Sequence, residues 1–185
     1  MFINKGDQLI SHPSILGDYS FGRSVVLITH SGNNEGYVGF VMNRKLNIDL
    51  KELLPEINVS IPIYDGGPVE NENLYFIHTI GSLAETSIEI TNGLYWGGDI
   101  EMIKDWIRTA KDPELYIRFF MGYSGWETGQ LEDEIENEVW VLDKDHQENH
   151  DLLFKKEDLI WKEKISQLGG KLSYWQNAPE NPDYN

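Results

Sequence analysis

RSVVLITH, SGNNE and GYVGFVMN follow one another over residues 23–30, 31–35 and 36–43. The first is β-branched and almost wholly apolar at its centre, the pattern of a strand covered on both faces. The second is a turn by composition, and the third is again apolar and strand-like. Together they predict a hairpin at the centre of a β-sheet.

Further out, Leu9 and Ile10 open a short strand that ends near His12 and Pro13. Residues 49–54 place Leu50, Leu53 and Leu54 on one face of a single helical piece, which Pro55 stops. Residues 61–64, 74–79 and 87–91 read as strands, the first cut off by Gly66, Gly67 and Pro68. The second half changes period. Asp99 is placed to cap a helix reaching Ala110, with Ile100, Ile103 and Ile107 as its stripe, Glu101 near its start and Arg108 near its end. Residues 115–121 form a strand, and Thr128 caps a helix whose inward face is Leu131 and Ile135. Glu132, Asp133, Glu134, Glu136 and Glu138 give that helix a solvated acidic face. A strand at 139–142, a polar loop at 143–151 and a helix at 157–168, stopped by Gly169 and Gly170, complete one domain over residues 1–176. Residues 177–185, with Pro179 and Pro182, read as a loose tail.

The 185 residues suffice for one substantial core. Fifteen Lys and Arg against 31 Asp and Glu give a formal charge of −16, which repels phosphates at long range and disfavours direct nucleic-acid binding. Arg23, Arg44, Arg108 and Arg118 read as members of scattered ion pairs with the abundant carboxylates. The lack of cysteine removes disulfides, thiolate metal sites and cysteine nucleophiles. Residues 1–10 lack the apolar run of a signal peptide, and the aliphatic run at 25–28 is far short of a membrane span. The expectation is a soluble cytoplasmic protein without membrane association, cofactor or metal, present as a monomer or weak homodimer.

Two stretches are rich in glycine and aromatic rings, GLYWGGD at 93–99 and GYSGWETGQ at 122–130. Both are expected where a strand gives way to a helix, a position that presents a binding surface. Ser124 stands in a setting like a nucleophile elbow, but Trp126 occupies the place of its second glycine, so an ordinary serine on a glycine-assisted turn is expected. Gly66, Gly67, Gly97 and Gly98 fit no phosphate-binding pattern, and Asp99 puts negative charge where an anion would lie; tight turns account for them. His12, His30 and His78 fall at strand ends, where His30 or His78 beside a carboxylate would serve a hydrolase as base. His146 and His150 lack the context of a metal hydrolase and read as surface residues.

RSVV at 23–26, GFVMNR at 39–44 and GGPV at 66–69, followed in order by the two glycine-aromatic stretches, resemble the AlgH/YqgE family of small bacterial proteins over about residues 6–168. The resemblance implies an α+β domain in which a bifurcated mixed β-sheet folds into a pseudo-barrel flanked by helices. It carries the family's label of transcriptional regulator, behind which stands no DNA-binding motif. Two positions depart from the family pattern: Ser124 stands where alanine is usual, and Lys45 where proline follows Asn43-Arg44. The resulting expectation is a non-catalytic module that binds a protein or small-molecule ligand through Arg23, Asn43, Arg44, Gly66, Gly67, Pro68, Tyr95, Trp96, Asp99, Tyr123, Trp126 and Gln130. A hydrolase with a His/carboxylate site and a DNA-binding regulator are the alternatives.

Overall fold

Strands β2 (Val25–Gly32) and β3 (Gly36–Val41) form the expected hairpin. The computed structural model describes residues 1–32, 35–147 and 149–178, so Asn33 and Asn34 at the turn and the tail from 179 lie outside the described residues. Upstream is β1 (Gln8–Ser11). After β3 come β4 (Lys45–Asp49), helix α1 (Leu50–Leu53), β5 (Pro62–Asp65), β6 (Val69–His78), and the hairpin of β7 (Ile88–Thr91) with β8 (Leu94–Trp96). Helix α2 (Ile100–Thr109), β9 (Ile117–Trp126), α3 (Gln130–Glu136), β10 (Trp140–Asp143) and α4 (Glu157–Leu168) complete the chain.

The ten strands make one sheet in the order β10-β1-β2-β3-β9-β6-β8-β7, with β4 and β5 off this path. It forks at β9. Along one edge of β9, β5 runs parallel beside Phe119 to Met121, and β3 runs antiparallel beside Ser124 to Trp126; β6 lies along the other edge. Gly66 sits in the crotch, donating to the Met121 carbonyl (2.9 Å) and accepting from the Val41 N–H (3.0 Å) and the Ser124 hydroxyl (3.0 Å). Gly122 faces it at φ +67°, where an added Cβ would stand 2.6 Å from the Gly67 carbonyl. Three strand backbones approach too closely there for side chains.

Alternate residues of β2 enter different cores, which is why the strand is apolar throughout. Val25 and Leu27 join Ile10, Phe40, Ile77, Ile90, Leu94 and Phe120 inside the curl of the sheet, sealed by Ile160, Trp161 and Ile165 of α4. Val26 and Ile28 pack with Leu9, Trp126, Leu131 and Trp140 outside it. A third cluster sets α1 and α2, through Leu50, Ile103 and Ile107, on Ile63 and Phe119. The curl returns β7 to the N-terminal segment, where Lys5 Nζ donates to the Glu89 carbonyl at 2.8 Å.

Several sequence expectations need correction. β9 continues through Gly122 and Gly125 instead of turning at them, and Tyr95 and Trp96 lie in a strand. β4 and β8 carry no apolar run long enough to announce them. Thr128 caps nothing: the N-cap position of α3 is Gly129 at φ +85°, without a side-chain cap. Asp99 does cap α2, accepting from the N–H groups of Glu101 (2.8 Å) and Met102 (3.3 Å).

Candidate functional site

Between the β3–β4 corner and the first turns of α4 lies a cleft of about 540 Å³. One wall is residues 22–24 and 43–47; the other is Glu157, Asp158, Trp161 and Lys162. Of the expected binding residues, Arg23, Asn43 and Arg44 meet here. Asn43 extends the sheet with its side chain, accepting from the Val25 N–H at 2.8 Å and donating to the Arg23 carbonyl at 2.8 Å. Arg44 donates to the Ser20 carbonyl and stands 3.8 Å from Asp65. Both residues therefore hold the loop entering β2 against the corner. Arg23, left-handed at φ +57°, lays its guanidinium over the Trp161 ring, 5.3 Å from its centroid, and donates to the Ala178 carbonyl at 3.0 Å. Lys45 is exposed and Lys162 half-buried, and neither forms an ion pair among the described residues.

Behind this wall lies Arg118, 4% exposed, which donates to the carbonyls of Met42 (2.5 Å) and Leu153 (2.6 Å) and covers the Tyr64 ring at 4.1 Å. Burial lowers its pKa, while Tyr64 and Glu157 of the cleft wall pull it the other way. The expectation of scattered arginine ion pairs thus holds for Arg44 with Asp65 and Arg108 with Asp105, and fails for Arg118, whose guanidinium satisfies buried carbonyls instead.

The other expected residues do not line this cleft. Gly66 and Gly67 are at the fork, with Pro68 exposed beside it. Tyr95 stacks on His78 with ring centroids 5.5 Å apart, Trp96 packs on Phe40 at 6.0 Å, and Tyr123 meets Tyr75 edge-on at 5.7 Å. Trp126 is 5% exposed. Its indole N–H donates to Glu134 at 2.8 Å, as does that of Trp140, and Gln130 adds a third bond at 2.9 Å. Glu132 accepts from the Tyr37 hydroxyl, whose pKa is pushed up to about 12, first by burial and then by that carboxylate. The acidic face of α3 is therefore only partly solvated, because Glu132 and Glu134 serve inward-facing donors.

Groups with catalytic potential are similarly engaged. Ser124 is buried in mid-strand with its hydroxyl on the Gly66 carbonyl. Buried His78 accepts the Ile80 N–H on Nδ1 (3.1 Å), leaving Nε2 to donate to the Gly97 carbonyl (3.2 Å) beside the Ser87 hydroxyl; burial holds its pKa below the ordinary histidine value. His30 lies 3.3 Å from Glu35 at the exposed hairpin. His146 and His150 are more than surface residues. His146 stands 2.7 Å from buried Asp7, and His150 donates to the Asn92 carbonyl at 2.9 Å, so both tie the 143–151 loop to the sheet. Among the described residues no group of three His, Asp or Glu is placed to hold a metal, and no helix is long and apolar enough to cross a membrane.

The chain is similar over nearly its whole length to proteins of several bacteria. A UPF0301 protein of Bacteroides thetaiotaomicron is 38% identical, the match covering 98% of this chain and 91% of that one. A UPF0301 protein of Chlorobaculum tepidum is 32% identical, with 99% and 96% covered. Among solved structures, a Corynebacterium diphtheriae protein superposes with a TM-score of 0.77 at 19% identity, covering 96% of this chain and 93% of its own. The AlgH protein of Pseudomonas aeruginosa gives 0.68 at 24%, covering 95% and 94%. The family model described as AlgH-like, DUF179, matches residues 8–173, and with the forked sheet and these relatives it establishes that the chain belongs to the AlgH-like family.

Proposed function

We propose that this chain is a non-catalytic module that engages a partner protein or small ligand through the cleft between the β3–β4 corner and α4. The observation that carries this reading is the convergence there of Arg23, Arg44, Lys45 and Lys162, from segments distant in sequence, on a chain of formal charge −16. Cations gathered in one concavity of an acidic surface attract and orient a complementary group. Ser124 and His78 lend a hydrolase reading no support, since their hydrogen-bonding capacity is spent inside the fold. Net charge weighs against duplex DNA.

The test is co-purification of the tagged protein from its native cell, with mass spectrometry of bound proteins and small molecules, for the wild type and the double variant Lys45→Glu/Lys162→Glu. The variant is expected to fold and to lose about tenfold or more of the specifically recovered partner. An unchanged set of partners removes the cleft as the contact surface.

A further inference from the structure

β4 has β5 on one side and, among the described residues, no strand on the other. Three successive residues of it, Lys45, Leu46 and Asn47, line the cleft. Side chains along a strand alternate between faces: Leu46 and Ile48 pack on the α1–α2 core, while Lys45 and Asn47 are exposed. A cavity touching all three therefore meets the strand along its edge, where backbone N–H and C=O groups point. The register with β5 shifts between Lys45 and Asp49, so this open edge is a short and irregular template for one more strand.

Charge selects the occupant. Four basic side chains, Arg23, Arg44, Lys45 and Lys162, line the opening against Glu157 and Asp158, with Asp65 3.8 Å from Arg44; Lys45 and Lys162 form no ion pair among the described residues. That surplus, on an acidic molecule, suits a segment bearing carboxylates. Phosphates in a row suit it less, because Glu157 and Asp158 interrupt the basic wall. The geometry points to β4 as the acceptor edge for an extended, carboxylate-bearing segment of a partner protein, paired through its backbone and steered by Lys45 and Lys162. This rests on the cleft being the contact surface.

The probe is a displayed library of random peptides about ten residues long, selected on the full chain and counter-selected on Lys45→Glu/Lys162→Glu. Enriched peptides are expected to alternate β-branched residues with Asp or Glu, to slow hydrogen exchange of the amides of β4, and to lose about tenfold or more in affinity to the double variant. Synthetic copies N-methylated at alternate backbone positions, which cannot complete a ladder, are expected not to bind. Failure to enrich any peptide overturns the inference, as does binding indifferent to N-methylation or to charge reversal. A second copy of this chain pairing at β4, seen as a dimer that the double variant dissolves, also overturns it. If cellular partners depend on Lys45 and Lys162 while peptides ignore N-methylation, strand addition falls and the contact surface stands. Peptides adding to β4 with cellular partners indifferent to the variant give the opposite result.

Discussion

Glu134 accepts N–H donors from Trp126, Trp140 and Gln130, and the two indoles are almost wholly buried. A buried donor stripped of its partner costs about 1–3 kcal/mol, so Glu134→Ala, which strips two, is expected to lose about 2–6 kcal/mol in urea unfolding. Both indoles reach the same oxygen, Oε2, so Glu134→Gln with its carbonyl there keeps both bonds and is expected to lose well under half as much; a loss below about 0.5 kcal/mol for the alanine variant would show that water replaces the carboxylate. His78 supplies a pH dependence. Folding lowers its pKa, so the unfolded chain binds the proton first. Stability tied to His78 is complete above its unfolded value, about 6.5, and falls as pH drops from there toward the depressed folded value. His78→Gln lowers the melting temperature at pH 8 but removes this dependence, so the gap between wild type and variant is expected to narrow from pH 8 to pH 5. A constant gap would show that His78 does not titrate in this range.

At the level of elements, the glycines of the fork differ from those of ordinary turns. Gly122→Ala puts a Cβ against two carbonyls at positive φ and is expected to cost several kcal/mol, on the order of 4, or to abolish folding. Gly93→Ala, at φ +80° with nothing within 4 Å, meets backbone strain alone and is expected to cost about 1–2 kcal/mol by thermal unfolding. Equal costs would mean that β9 and the Gly67 turn separate to admit the methyl group. The same contrast explains what was legible in the chain. Continuous apolar runs announced β2 and β3, and Asp99 before an Ile stripe announced α2. Gly122 and Gly125 misled because glycine required by a close approach of strands has the same one-letter signal as glycine required by a turn. Of the candidate site, Arg23, Asn43 and Arg44 were legible in the family blocks. Lys162 and the open edge of β4 were not, since their proximity is created only when α4 packs across the sheet. Glu134 had a faint signal, an acidic helix flanked by two tryptophans.

For the molecule as a whole, a formal charge of −16 on 185 residues makes self-repulsion a standing cost of the compact state. Against it stand exposed pairs such as Arg108–Asp105 and Lys104–Glu101, worth about 0–1 kcal/mol each, and the more buried Lys164–Asp143 pair at 2.9 Å. Salt screens long-range repulsion more completely than contacts at hydrogen-bond distance, because the Debye length falls from about 30 Å at 0.01 M to about 10 Å at 0.1 M. Repulsion therefore wins the comparison, and raising NaCl over that range is expected to raise the melting temperature by about 2–6 °C. Lys45→Glu/Lys162→Glu adds negative charge to the same surface and is expected to show the larger rise. Binding comparisons between it and the wild type accordingly belong at about 0.15 M salt, where differences in fold stability are smallest. A melting temperature that stays flat or falls with salt would mean that the ion pairs outweigh the repulsion.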